Sequence, residues 1–397
     1  MALLATLAVG CTGVQAGTAL RDPRNDPRAV NTALLDPGGF ATTPRTDLDG
    51  TAGTAAEGAR LEARRMAEAV VVPFEVDLGL SLPDPEWNRG FTSPLELQPM
   101  LPKSVAVAIQ SNNFIAGFRT KAAGPTLDRS LTNIVLRLAT SEDARRAVSG
   151  MANGSEWEQS GRDGRTTPAR RALPIPDRPD SVAFLAQPRG RADLFVYTTH
   201  GPFVLVQMVL DSGTDAALKL ALHTVDRQRA ALDSFEPTPV DELAALPMDP
   251  TGLLARSVPG YGRGLSPHAA GAYGPHGALH FMSKPDRARQ VFTEAGVSAA
   301  AVALATVFQA RDPDGAAHLV EQFLGDYVNE VYGRSEPVPG LPASRCLFAP
   351  EGSTPDLRLA SYYCVVAYDK YVIVVQEANI AEAHRALAAQ YLLISAE

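Results

Sequence analysis

Basic charge is in short supply in this chain: 36 Lys and Arg stand against 44 Asp and Glu, a formal net charge of -8. A surface that tracks phosphates needs a clustered basic face, so nucleic acid is not an expected partner. Long apolar runs are missing too. Nothing after the first eleven residues reaches the about 20 apolar residues that a membrane-spanning helix requires. No nucleophile-elbow sequence is present, and no glycine-rich phosphate loop follows a strand-like segment, which removes two familiar enzyme signatures. Cysteine is scarce, with three in 397 residues. What remains, 45% hydrophobic and 20% charged, is ordinary globular material, long enough for two domains.

The sharpest signal lies at the beginning. Leu3 to Val9 form a short apolar run, and Ala8-Val9-Gly10-Cys11 resembles the lipobox at which bacterial signal peptides are cut. Small residues fit the signal peptidase, and the Cys11 thiol would take a thioether-linked diacylglycerol before cleavage leaves it as the new N-terminus. A run this short reads as a signal h-region rather than a span. The motif departs from the common pattern in having no Lys or Arg before the run and Ala8 where leucine is commoner. The expectation is a lipid anchor on Cys11 and a place on the extracytoplasmic face of the cell membrane.

With Cys11 acylated, Cys346 and Cys364 remain, each flanked by strand-like sequence. An even pair in an exported chain reads as a disulfide, worth roughly 3 kcal/mol in the chain-entropy model. The alternative is two buried free thiols. A zinc site would need two further ligands, and no Cys or His stands nearby at ligand spacing, so no metal is expected.

The chain divides by composition into residues 1–10 as signal peptide, 11–33 as lipidated N-terminus and flexible tether, and 34–100 as an extended segment with a helix. That helix is predicted from Ala55 to Val71, with Pro73 ending it. A first half follows over 101–240, a linker over 241–255 where Pro247 and Pro250 puncture the pattern, and a second half over 256–397. In the first half the pattern predicts a strand at 133–139, a helix at 142–151 capped by Ser141, and strands near 172–175 and 181–186. A hairpin of 193–199 and 203–210 and a helix at 215–232 complete it. The second half offers the same order: strand 302–309, helix 314–327, strand 346–349, hairpin 359–368 and 371–377, helix 381–393. Period-2 strands followed by covering helices predict an α+β fold of two tandem related halves, each an antiparallel sheet with helices on one face.

Three segments resemble a known family: Leu35-Asp36-Pro37-Gly38-Gly39-Phe40-Ala41-Thr42-Thr43-Pro44-Arg45, then Glu62-Ala63-Arg64-Arg65-Met66-Ala67-Glu68, then Pro73-Phe74-Glu75-Val76-Asp77. Following a lipobox, they look like a family of actinobacterial, mycobacterial or nocardial-type, cell-envelope lipoproteins of unknown function. The resemblance covers the anchor and the first third, and the rest by layout, and it implies location and fold without any catalytic residue. A weaker likeness, of layout only, is to the disulfide-tied sensor domains outside certain actinobacterial kinases.

Candidate chemistry is thin. Three of the seven histidines, His268, His276 and His280, fall in a Gly- and Pro-rich stretch that reads as a solvated loop, because Gly274, Pro275 and Gly277 oppose a helix. His200, at a hairpin tip, could serve as a general base toward Ser212 or Thr199, or be a turn residue. His223, His318 and His384 sit on helices and carry no expected role. Glu62, Arg64, Arg65 and Glu68 share a helix at i,i+3 spacing and form a structural charge network, a docking surface or a solvated face. Trp87, in a Pro-rich loop, is a candidate binding anchor or a core plug. Tyr362, Tyr363, Tyr368 and Tyr371 crowd one hairpin and form either a ligand-binding sheet face or cross-strand packing. The resulting expectation is a non-catalytic envelope lipoprotein without cofactor, binding a lipid, glycan or protein partner between its halves. The rivals are a hydrolase using His200 or the His268–His280 loop, and a structural spacer or assembly factor.

Overall fold

Two antiparallel sheets carry the architecture, in a computed structural model that describes residues 29–154, 159–160, 166–167, 170–328, 333–351 and 361–396. Cys11, the apolar run before it and most of the expected tether lie outside the described residues.

The first regular element is helix α1, Ala55–Arg65, started by Thr54, whose hydroxyl accepts the Glu57 N–H at 3.1 Å. The helix was expected to reach Val71. Instead it tightens into a 3-10 turn at Met66–Glu68, and Pro73 opens another at Pro73–Glu75.

The first sheet is built from β1 (Leu82–Pro83), β2 (Arg89–Phe91), β3 (Phe114–Ala123) and β4 (Ser130–Leu138), with β7 (Arg171–Leu173), β8 (Ser181–Ala186), β9 (Ala192–His200) and β10 (Phe203–Asp211). A two-stranded ladder of β5 (Gln159–Ser160) and β6 (Thr166–Thr167) stands apart. Helices α2 (Lys103–Gln110), α3 (Ser141–Gly154) and α4 (Thr214–Leu232) complete this half. The second sheet has β11 (Gly271–Tyr273), β12 (Ala299–Val302), β13 (Ala305–Gln309), β14 (Gly333–Ser335), β15 (Arg345–Ala349), β16 (Ser361–Tyr368) and β17 (Tyr371–Glu377). Its helices are α5 (Pro275–Leu279), α6 (Pro285–Ala295), α7 (Pro313–Val328) and α8 (Ile380–Ser395).

The duplication is a matter of topology as well as order. One sheet runs β3-β4-β10-β9-β8-β7 and the other β12-β13-β17-β16-β15-β14, the same path in corresponding strands. Three details depart from the sequence expectation. Residues 302–309 form not one strand but the end of β12, a turn and β13, while β3 was not anticipated because Arg119, Thr120 and Lys121 interrupt its apolar alternation. Helices also cover both faces of each sheet rather than one. In β10, Val204 and Val206 pack toward α2 and α3 while Leu205 and Val209 pack toward α4, and α7 and α8 bracket the second sheet likewise. The consecutive apolar residues of Val204-Leu205-Val206 and Val365-Val366 have no solvent side, so a second layer is required to bury them.

The expected linker is packed. Its 3-10 turn, Val240–Ala245, lies on α1, Thr51 bridges Pro247, and Leu253 and Leu254 enter the second half's core. One apolar cluster runs from Met66 and Val70 through β4 and α4 into Tyr273, Phe292 and Val372, so the two halves share a core.

Candidate functional site

The seam between the halves is made where α5 meets the 3-10 turn at Met66–Glu68. Pro275 occupies the first turn of α5, where a missing N–H costs nothing, which is why a Gly- and Pro-rich stretch expected to be a solvated loop winds into a short helix. Glu68 accepts the Gly277 N–H at 2.9 Å. His280, fully buried, has Nε2 3.1 Å from the Ala67 carbonyl and Nδ1 3.1 Å from the Thr120 hydroxyl. Only an N–H can meet a carbonyl, so Nε2 carries the proton and Thr120 donates to Nδ1. Burial, and then the neighbouring His276, push the His280 pKa down to about 3, so the ring is neutral. Asn88 clamps the same place, donating to the His280 carbonyl at 2.6 Å and accepting the Lys121 N–H at 2.8 Å. His276 pairs with Glu75 at 3.1 Å, while His268 remains exposed on a 3-10 turn. The three histidines therefore diverge, and the buried His280 and the half-buried His276 hold the halves together.

Beside this seam the second sheet opens into a cavity of about 230 Å³. Val302, Phe308, Tyr363 and Val374 form its sheet wall, Phe323 comes from α7, and Leu265 and Phe281 close it from the loops. Thr306, Gln376, Ser283 and Arg263 supply polar edges, and Pro85 reaches in from the other half. Of the four tyrosines singled out above, only Tyr363 lies here. Tyr362, Tyr368 and Tyr371 point to the opposite face, because strand side chains alternate with a period of two. There Tyr362 stacks on Phe348 at 4.7 Å, Tyr368 meets Tyr391 at 5.3 Å, and Arg256 lies over Tyr371 at 5.4 Å. Packing, not a shared ligand face, explains that trio.

Trp87 is half-buried, with the Arg119 guanidinium 4.7 Å and the Lys121 ammonium 5.6 Å from its ring centroid. Arg119 also donates to the Trp87 carbonyl at 2.8 Å, and burial, followed by repulsion from Arg89, pushes its pKa down to about 10. Pockets of about 430 Å³ and 390 Å³ lie on either side of the indole.

The remaining candidates lie elsewhere. His200 pairs with Asp233 at 2.9 Å on the surface. Ser212 follows the far end of β10 and bonds to Asp211, so the length of a strand separates it from His200, and Thr199 points to the other face of β9. This does not assemble the expected general base and hydroxyl. Cys346 and Cys364 face each other across β15 and β16, with bonded sulfurs and Cα atoms 4.1 Å apart. The fold brings a nitrogen of His384 within 4.8 Å of both, which sequence spacing hid. Joined to each other, the sulfurs are not thiolates, the form that ligates metals. Of the alternatives for Glu62, the structure shows the charge network: it is fully buried, binds Arg137 of β4 and Arg65, and accepts the Thr238 hydroxyl at 2.8 Å.

Among the described residues no helix is long and apolar enough to cross a membrane. The chain is similar over part of its length to the extracellular domain of PknH from Mycobacterium tuberculosis, with a TM-score of 0.30 and 12% identity, covering 41% of this chain and 93% of that one. No curated protein matches it. Residues 49–248 match the model described as the N-terminal domain of unknown function DUF7373, and residues 253–397 match its C-terminal counterpart. The boundary between the two falls in the packed segment that joins the sheets, and the chain belongs to the DUF7373 family.

Proposed function

We propose that this chain is a non-catalytic extracytoplasmic protein, held to the membrane through Cys11, that binds the apolar part of an envelope molecule in the cavity beside its seam. The supporting observation is the cavity itself, walled by Val302, Phe308, Phe323 and Val374 and completed by both halves. Unfilled apolar space in a core costs on the order of 20 cal/mol per Å³, so a sequence that keeps this space open forgoes stability that larger side chains would supply. Ligand sites are commonly of this kind, apolar walls with a few polar groups at a domain junction.

The test uses the full chain carrying Cys11→Ser, so that no acyl group of its own competes. The naphthalene dye ANS is expected to bind saturably and brighten, and Val374→Phe, which fills the cavity, to abolish that signal while the circular dichroism stays unchanged. Equal brightening in the filled variant would remove the support for the cavity. Anchoring has its own test: mass spectrometry of native protein should find residues 1–10 absent and Cys11 acylated, and finding the thiol free would defeat it.

A further inference from the structure

The cavity does not end at its own walls. Leu265 lines both the apolar cavity and the pocket of about 390 Å³ beside Trp87, and Trp87 and Pro99 line both that pocket and the next, of about 430 Å³. Consecutive residues Pro85, Glu86 and Trp87 mark the path from the apolar end to the polar one. An apolar chamber thus adjoins, through Leu265, a trough built around Trp87 and walled by charge.

The repeat makes the placement regular. Phe195 pairs with Met208 across β9 and β10, and both line the trough, while Tyr363 pairs with Gln376 across β16 and β17, and both line the cavity. Each pair lies the same distance past its hairpin turn, so duplication has set corresponding openings on corresponding sheet faces. Only their chemistry has diverged.

Three of the trough's cations are paired with carboxylates, while Arg119, almost fully buried, donates instead to the Trp87 and Glu96 carbonyls. Arg89 meets Glu96 at 3.0 Å, Lys121 meets Asp84 at 3.0 Å, and Arg170 meets Asp193 at 3.1 Å. A phosphate or carboxylate ligand would find these cations neutralised, whereas a neutral polyol can donate to the carboxylates and accept from the guanidinium groups at once. The Arg170 side chain is only 5% exposed, and its buried Nε–H has no hydrogen-bond acceptor among the described residues, a donor that a ligand oxygen would satisfy. The Phe195 ring is buried beneath the Arg170 guanidinium, 3.9 Å away, so the half-buried indole of Trp87, flanked by Arg119 and Lys121, is the aromatic surface left for sugar C–H groups.

We propose that the trough around Trp87 is the headgroup site for the molecule whose apolar part enters the cavity, and that this headgroup is an uncharged saccharide. The ligand class is therefore a neutral glycolipid, a reading that rests on the cavity's role proposed above.

Three matched probes separate the two claims: octyl maltoside below its micelle concentration, octanol and maltose. The full chain carries Cys11→Ser and Trp157→Phe, leaving Trp87 as the only tryptophan, so its emission reads the trough while displacement of ANS reads the cavity. Octyl maltoside is expected to bind roughly tenfold tighter than octanol, the worth of about one good ring contact or hydrogen-bonded pair. Asp193→Asn, read by the same emission, and Trp87→Ala, read by ANS displacement, should each bring the maltoside down to the affinity of octanol and leave octanol unchanged. A maltoside no tighter than octanol, or an advantage that survives both variants, overturns the saccharide site. Maltose binding at Trp87 without any octanol binding would support the headgroup site and refute the cavity, and no binding of any probe would refute both.

Discussion

The imidazole of His276 lies 3.1 Å from the Glu75 carboxylate, joining the second half to the segment ahead of the first. Burial alone would lower the His276 pKa, but the hydrogen bond and charge of Glu75 outweigh it and the net shift is upward. For Glu75, burial raises the pKa and His276 pulls it down further, so the net shift is downward. A raised histidine contributes stability that is present below its unfolded value of 6.5 and fades as pH rises through the folded value. A lowered carboxyl contributes above its unfolded value of 4.5 and fades on acidification. Urea midpoints should therefore fall on the alkaline side of 6.5 in the natural chain, and His276→Ala should flatten that limb. An unchanged alkaline limb would remove the pair from the stability of the seam.

His280 governs the acid side. Its pKa falls from 6.5 to about 3 on burial, so between those values the unfolded chain binds a proton that the folded one does not. Stability should drop by up to about 1.4 kcal/mol for each pH unit of acidification in that window. His280→Gln removes the titration, and its midpoints should show a shallower acid limb even where overall stability is lower.

Glu62 and Arg137 form a buried ion pair, at 0% and 4% side-chain exposure. Glu62 also accepts the Thr238 N–H at 3.1 Å, so α1, β4 and the segment joining the halves meet at one carboxylate. Removing Arg137 leaves the buried carboxylate with Arg65, 2.6 Å away and itself 41% exposed, as its remaining cation, so Arg137→Met should cost about 3 kcal/mol by denaturant unfolding. Replacing both by apolar residues should cost clearly less, and a double variant as unstable as the single one would contradict this account.

Gly58 lies under the joining segment. A Cβ there would stand 2.0 Å from the Leu243 carbonyl oxygen, a backbone atom that cannot swing aside. Helix propensity would favour Gly58→Ala by about 1 kcal/mol, whereas overpacking costs about 1–3 kcal/mol, so a net loss is expected. Gly325→Ala, in α7, meets nothing within 4 Å and should raise the melting temperature instead. Both variants moving the same way would show that the contact is unimportant.

Replacing Cys346 and Cys364 together by alanine should lower stability by about 2–4 kcal/mol, because the unfolded chain regains the freedom of the loop between them. Reduction of the natural chain should match it in denaturant unfolding. A double variant as stable as the oxidised chain would mean that packing around these buried residues suffices.

Much of the architecture was legible because its signals are local. Apolar periodicity placed the start of α1 at Ala55, and the hairpins turn at His200-Gly201-Pro202 and Asp369-Lys370, all from neighbours in sequence, while the cap expected at Ser141 falls one residue earlier, on Thr140, whose hydroxyl accepts the Asp143 N–H at 3.1 Å. The repeated order of strands and helices told of two halves for the same reason. β3 stayed hidden because Arg119 and Lys121 sit on a strand to hold Trp87, which breaks the alternation a strand is recognised by. Of the candidate site residues, Trp87 and Tyr363 line openings, while Tyr362, Tyr368 and Tyr371 turn to the other face, a one-residue matter of strand phase.

By itself the sequence determined the α+β character, the two related halves and the order of most of their elements, since turns and apolar periodicity act over a few residues. Only the tertiary structure decided that Glu62 and His280 are buried, that His384 lies beside the disulfide, and that an apolar cavity shares Leu265 with the pocket beside Trp87. Those relationships join residues far apart in the chain, such as Ala67 with His280 and Glu62 with Thr238, and no local pattern encodes a contact whose partner lies on another element.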